Sequence, residues 1–283
     1  KPLRLARFIK KNAPINSFKK KAIETAIAQA SGQLIVTTDA DCEVSPEWLL
    51  LLVSFFEIKK IHFIAAPVSF YKEKNIFEKF QSLDLMGMMG ATGAGLQLGW
   101  MHSCNGANLA YSKALFDEIN GFENINHLAS GDDILLMQKT AARFPEKIGF
   151  LKNKKATVFT RAKPTIGSFI AQRLRWATKS GQYPERKTTL LLAVVFFICQ
   201  AVLLSLLAAL FMGGRWGVLF LALFSIKSIS DYFFLREMAT WFGRPGLMSA
   251  FWPSQWLHLL YITLIGWMGN IVKKYKWKGR NVR

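Results

Sequence analysis

Gln33-Leu34-Ile35-Val36-Thr37-Thr38-Asp39-Ala40-Asp41-Cys42 is the stretch that decides the fold of this 283-residue chain. Leu34, Ile35 and Val36 form a short apolar run, and Gln33 to Thr38 reads as a strand. Gly32 stands before it and ends a predicted helix, Lys19 to Ala30, whose Ala22, Ile23, Ala26, Ile27 and Ala30 fall on one stripe. Two carboxylates, Asp39 and Asp41, then sit one residue apart where the strand ends. Paired carboxylates at a strand terminus suit a divalent cation held against the phosphates of a nucleotide-linked substrate. Taken alone the D-x-D is equally a turn, because Asp is favoured there.

Outward from this stretch, helical and strand patterns alternate, which predicts an α/β domain with a mainly parallel sheet. Ser45-Pro46-Glu47 reads as a helix start, with Ser45 as cap and Pro46 at the first helical position, leading into Trp48 to Ile58. Ile61 to Tyr71 is the next expected strand. Asn75 to about Gly99, low in charge and rich in Met and Gly, is a long helix. Asn105 to Tyr111 reads as a strand entering a helix at Ser112, and Asp132 to Arg143 as a helix begun by acids at its positive end. Ile148 to Leu151 and Ala156 to Thr160 are short strands. On Thr165 to Ser180, Phe169, Ile170, Leu174 and Trp176 alternate with Arg173, Arg175 and Lys179, the pattern of an amphipathic helix on a membrane surface.

Composition adds a second kind of protein to the same chain. Hydrophobic residues make up 51%, yet the formal charge is +19, a combination foreign to a single soluble domain. The charge gathers at the ends: eight Lys or Arg and no acid between Lys1 and Lys21, and six with no acid between Lys273 and Arg283. Nucleic acid, an anionic membrane surface or a nucleotide sugar would each answer such charge. Hydropathy favours the membrane and disfavours nucleic acid as partner. No charged residue occurs from Thr188 to Gly214, and at 1.5 Å per residue Leu190 to Met212 crosses a hydrocarbon layer of about 30 Å. Trp216 to Leu235 is a second expected span, with Lys227 and Asp231 four residues apart and able to neutralise each other. The third segment, Pro245 to Val272, carries Trp252, Trp256 and Trp267 and either spans or lies in the interface. Two crossings with an interfacial third helix keep the basic tail cytoplasmic, as the positive-inside rule prefers. Cys42, Cys104 and Cys199 form neither a zinc pattern nor a disulfide framework and suit a reducing compartment.

Three constellations carry chemistry: Asp39-Ala40-Asp41, Ser130-Gly131-Asp132-Asp133 and Gln172-Arg173-Leu174-Arg175-Trp176. The second is also readable as an ordinary helix start and the third as a surface helix with snorkelling arginines. Their order is informative. D-A-D, then Gly106-Ala107-Asn108-Leu109-Ala110, then D-D, then Q-x-x-R-W, then membrane helices, resembles the membrane-bound inverting glycosyltransferases of family 2, the group of cellulose, chitin and hyaluronan synthases and ceramide glucosyltransferase. Lys20-Lys21-Ala22-Ile23 and Trp277-Lys278-Gly279-Arg280 are similar to its hydrophobic members.

The resemblance implies a GT-A-type, Rossmann-like fold over residues 1–164, an interface helix at 165–187, and a membrane region at 188–283 with helices about 189–212, 216–235 and 251–272. By position Asp133 matches the family's catalytic base, and Asp132 takes the place of the Glu common beside it. Asp41 matches the ligand of Mg²⁺ or Mn²⁺, and Asp39 the carboxylate near ribose and diphosphate. Gln172, Arg173 and Arg175 match the motif that closes on the diphosphate. Trp176, Gly106 and Asn108 fall to the acceptor and sugar pocket. The implied partners are a nucleotide sugar, expected to be UDP-linked, a lipid-linked or glycan acceptor, and membrane lipid. The implied location is the cell inner membrane with a cytoplasmic catalytic domain. The family's opening strands, which contact the nucleotide base, have no counterpart before Lys1, so an N-terminal truncation is expected that binds donor poorly alone. A non-catalytic membrane scaffold of the same fold is the alternative; it predicts no metal-dependent nucleotide binding. His102 and His127 receive no role.

Overall fold

A computed structural model describes residues 17–126, 128, 131–271, 275–277 and 280–282. Most of the basic N-terminal stretch, His127, Ser130 and much of the basic tail lie outside the described residues.

The chain opens with α1 (Phe18–Gln29), capped by the Ser17 side chain, which accepts from the Lys20 N–H. It continues into β1 (Leu34–Thr37), α2 (Trp48–Lys59), β2 (Phe63–Ala65), β3 (Val68–Phe70), α3 (Ile76–Gln97), β4 (Leu109–Ser112), α4 (Lys113–Glu118), α5 (Ile134–Ala141), β5 (Ile148–Phe150) and β6 (Val158–Thr160). The larger sheet runs β1-β4-β2-β5. β4 is antiparallel to both β1 and β2, while β2 and β5 pair in parallel. The expected mainly parallel sheet is therefore mixed: three strands share a direction and β4 runs against them. A reversed strand between two parallel ones needs no crossover to each neighbour, so helix–strand alternation alone does not reveal it.

Alternation along the strands places apolar side chains on both sheet faces. Phe63, Leu109 and Tyr111 join Ile27, Leu115, Phe116, Leu136 and Met137 in one core beneath α1, α4 and α5. Ile64 and Ala110, the intervening residues, pack with Leu52 of α2 and Ala156 on the other face. With both faces covered, catalytic groups are left to the loops at the strand ends.

The expected strand Ile61 to Tyr71 divides into β2 and β3, which belong to different sheets. Pro67 lies at the break; lacking an N–H it cannot continue the ladder, and its carbonyl instead accepts from Val158. β3 pairs in parallel with β6. Ser45 is not the cap of α2: its hydroxyl donates to the Lys155 carbonyl at 2.6 Å, and the N-cap position is held by Glu47 without a side-chain bond.

Beyond the sheets come α6 (Ile166–Ser180), α7 (Arg186–Met212), α8 (Arg215–Trp241) and α9 (Phe251–Ile271). Among the described residues α7 and α8 are the two helices long and apolar enough to cross a membrane. Only 17% and 11% of their most apolar stretches are buried within the chain, which sets them apart from core helices of a soluble domain. The Lys227–Asp231 pair forms, with Nζ 2.6 Å from Oδ2, and Gln255 of α9 accepts a second bond from Lys227 at 2.7 Å. The third segment is divided between a 3₁₀ turn, Pro245–Ala250, and α9. α9 packs against α3, α6 and α7, with Leu259 fully buried beside Cys199 and Val202. The α/β half and the apolar helices meet closely: a Cβ on Gly90 of α3 would stand 2.7 Å from Met238 Sδ and Phe234 Cζ of α8. β7 (Tyr275–Trp277) and β8 (Arg280–Val282) pair antiparallel beyond α9.

Candidate active site

β1 releases the chain at Thr37, and the turn that follows is closed by the Cys42 N–H on the Asp39 carbonyl at 3.2 Å. Asp39 and Asp41 both stand exposed on that turn. Lys19, in the first turn of α1, reaches Asp39 from the side: its Nζ lies 3.4 Å from Asp39 Oδ1 and 2.9 Å from Asp132 Oδ2. One ammonium thus joins the D-x-D turn to the D-D turn. Burial pulls the Lys19 pKa down, but the Asp132 and Asp39 carboxylates outweigh it and hold the ammonium above its ordinary value.

Asp133 occupies the N-cap of α5. Its Oδ1 accepts the Ile134 N–H at 2.8 Å and its Oδ2 the Gly106 N–H at 3.1 Å. Burial pushes the carboxyl up, but Lys179, the Ile134 N–H and Lys19 together outweigh it, leaving Asp133 below the usual carboxylate range. Gly106 permits the approach, because a Cβ there would stand 3.1 Å from Oδ2 and 3.3 Å from the Cβ of Asp133. Gly131, just before the acids, has φ +84 and lies where a Cβ would meet Leu135 at 2.8 Å, two reasons for glycine at that turn.

From α6 the D-D turn is met by a lysine that lies outside the Q-x-x-R-W motif. Lys179, half-buried, passes its Cδ within 3.8 Å of the Cβ position of Gly131. Burial lowers its ammonium pKa, against the pull of Asp133. Tyr183 and Cys104 lie near enough to feel Asp133, and burial raises both.

Of the residues expected at the site, Asp39, Asp132, Asp133 and Gly106 come together, with Asp41 on the same turn as Asp39. Arg175 is half-buried and acts on Lys179. Arg173 and Asn108 are placed otherwise. Arg173 Nη2 binds Asp84 Oδ2 of α3 at 2.7 Å, the two side chains being 4% and 5% exposed. The Tyr261 hydroxyl of α9 donates to the other Asp84 oxygen at 2.6 Å. The guanidinium also lies 4.4 Å from the Trp176 ring centroid, so one face of the half-buried Trp176 is covered by protein. Arg173 thereby ties α6 to α3 and α9 instead of facing a diphosphate. Asn108 is fully buried: its amide donates to the Pro67 and Ala156 carbonyls at 2.7 and 2.8 Å and accepts from Trp48 Nε1 at 3.0 Å. It shapes no pocket directly; it stitches β4 to β3 and α2. Gln172 keeps its Oε1 buried without a hydrogen-bond partner among the described residues. α6 itself does not lie freely on a surface: Phe169, Arg173 and Leu174 are buried, and Ala177 stands 3.0 Å from the Cβ position of Gly269 in α9.

No group of three His, Cys, Asp or Glu side chains is arranged to ligate a metal among the described residues. The donor set nevertheless fits a hard divalent ion that keeps water and takes substrate phosphate as ligands, which needs only one or two carboxylates. The Lys19 ammonium drawn between Asp39 and Asp132 marks the same preference for a cation.

Lys19 adjoins a stretch the sequence had flagged, Lys20 to Ile23, but its direction was not legible. Lys179 follows Arg175 by one helical turn, a spacing that would have placed both on one face.

A family model described as glycosyl transferase family group 2 matches residues 34–269. No curated protein matches the chain.

Proposed function

Because the chain belongs to glycosyl transferase family group 2, a family of glycosyl transfer between a nucleotide-sugar donor and an acceptor, we propose that it is a membrane-anchored inverting transferase. It moves a sugar from a nucleotide donor, UDP-linked by preference, to a lipid-linked or polysaccharide acceptor. The observation that carries this reading is the Asp133 carboxylate: ionised, held by two backbone N–H groups, and set beside the Lys19-bridged acids of two separate loops.

Asp133 takes the proton of the acceptor hydroxyl as that oxygen forms its bond to the anomeric carbon. The bond from that carbon to the diphosphate breaks on the opposite face, its electron pair leaving on phosphate oxygen. Asp133 is fixed in direction, since Gly106 and Ile134 hold an oxygen each, and its low pKa keeps it ready as acceptor of a proton. Asp132 is held by Lys19 and positions the acid pair. Asp41, with Asp39 beside it, would hold Mg²⁺ or Mn²⁺, which neutralises diphosphate charge when bound. By their places in the Q-x-x-R-W motif, Arg175 would keep the potential around the diphosphate positive and Trp176 would meet the acceptor.

The two long, exposed apolar helices support anchorage in a membrane. A cytoplasmic active site at the inner membrane accords with Arg186 and Lys187 at the start of α7 and with the basic stretch that follows α9. Turnover of nucleotide sugar by the full-length protein in detergent with Mn²⁺ tests the reading. Asp133→Asn is expected to lower turnover by roughly a hundredfold or more, and Asp41→Asn to weaken the metal dependence. Undiminished turnover in both variants would overturn these roles.

A further inference from the structure

We propose that Lys179, not Arg173, is the α6 cation that receives the leaving diphosphate. This rests on the glycosyl-transfer reading above and assigns a residue outside the Q-x-x-R-W motif to it.

Three observations converge. Arg173 is already committed: Asp84 holds Nη2, aromatic rings of Phe169 and Trp176 flank the guanidinium at 4.9 and 4.4 Å, and the side chain is 4% exposed. Freeing it would leave Asp84 buried beside Tyr261 with no counter-charge, a costly exchange. Lys19 is committed as well, to Asp39 and Asp132. Lys179 is different. Its stem lies against Gly131, the residue immediately before the acid pair, and its ammonium interacts electrostatically with Asp133, Asp132 and Lys19. Yet among the described residues its ammonium forms no hydrogen bond or ion pair; outside the helix pattern the residue is bonded only through its backbone carbonyl, which accepts from Gln182.

A half-buried side chain whose ammonium stays open to water and has no protein partner among the described residues can take one from a ligand. An arriving phosphate oxygen supplies one, and a charge-assisted bond in a partly dry site is of the strong kind. The charges around it agree. Lys19, Lys20 and Lys179 all act on Asp132 and Asp133. Lys19 is bound to Asp39 and Asp132 and Lys20 to the Ile125 and Leu128 carbonyls, so diphosphate charge needs a cation that is not already fully engaged. Lys179 meets that requirement, and Arg175, one turn earlier, keeps the surrounding potential positive.

The test is binding of UDP, GDP, UMP and uridine to the full-length protein in detergent with Mn²⁺, comparing wild type with Lys179→Met and Lys179→Arg. Lys179→Met is expected to weaken UDP binding roughly ten- to a hundredfold, with uridine binding unchanged and UMP between them. Lys179→Arg recovers most of the loss. Equal UDP affinity in wild type and Lys179→Met would overturn the inference while leaving the transferase reading standing. An equal loss for UDP and uridine would also overturn it, because it would reveal a structural role. If wild type binds neither UDP nor GDP, the transferase reading fails and takes this inference with it.

Discussion

Lys19 Nζ lies 2.9 Å from Asp132 Oδ2, so the first helix holds the acid pair that begins α5, and the same ammonium reaches Asp39 at 3.4 Å. Asp132 is only 10% exposed whereas Lys19 is 38% exposed, so water screens one side of the pair and not the other. Removing the lysine therefore costs less than removing a fully buried partner. Lys19→Met is expected to destabilise the protein by about 1 kcal/mol, a fall of roughly 2–4 °C in Tm. It also frees Asp39 for an external cation, so Mn²⁺ binding without nucleotide is expected to strengthen. Calorimetry on wild type and variant reads both; weaker Mn²⁺ binding would contradict the competition between lysine and metal.

The Asp84–Arg173 pair predicts a larger effect. Both side chains are buried, and Tyr261 adds its hydroxyl from α9. Asp84→Ala leaves a guanidinium without counter-charge in the interior, where Nε and Nη1 already lack partners among the described residues. The expected cost is about 3–5 kcal/mol, seen as a much lower Tm in detergent than for Lys19→Met. A fall no greater than that of Lys19→Met would show that the pair does not hold α6 on α3 and α9.

Lys20 gives a pH test. It is 2% exposed, donates to the Ile125 and Leu128 carbonyls, and burial lowers its pKa to about 8. Because the unfolded lysine titrates near 10.4, the unfolded state binds more protons between those values. Stability from this group must then rise with pH from about 8 to 10.4 and be flat below. The difference in Tm between wild type and Lys20→Met is the measurement, and a difference independent of pH across that window would refute the assignment. Asp133 behaves oppositely. Its folded pKa is depressed, so its contribution is present above the unfolded value of about 3.9 and vanishes as pH falls through the folded one. The stability gap between wild type and Asp133→Asn is accordingly expected to be constant from pH 5 to 8 and to close in acid.

How much of this was readable beforehand depends on which interactions are local. Helix α1, strand β1, the Asn75-capped α3 and the Lys227–Asp231 pair all follow from spacing along one segment, and the sequence carries them. β4 reverses direction because of where its neighbours lie in space, and no residue in Leu109–Ser112 records that. Arg173 and Lys179 show the same limit at the site. Both are basic residues on one amphipathic helix, and that Arg173 turns away while the charge of Lys179 acts on Asp133 is decided by Asp84 on α3, remote in sequence. Asn108 reads as a pocket residue in the motif Gly106 to Ala110, but its three hydrogen bonds run to Pro67, Ala156 and Trp48, partners that only the folded sheet assembles.

Gly106 offers the sharpest separation of chemistry from stability. Its N–H fixes one Asp133 oxygen at 3.1 Å, and a methyl group there would stand at the same 3.1 Å from that oxygen, closer than ordinary contact. Gly106 is not among the glycines with positive φ, so alanine brings no backbone strain. The carboxylate must rotate or retreat by a few tenths of an ångström, which breaks the bond that aims it. Misplacement of a general base on this scale is expected to lower kcat by roughly ten- to a hundredfold. Stability should change by about 1 kcal/mol or less, since Ile134 still holds the other oxygen. Turnover and Tm measured on Gly106→Ala decide the matter: a large fall in kcat at nearly constant Tm supports Asp133 as the aimed base, whereas full activity would show that its orientation does not depend on Gly106.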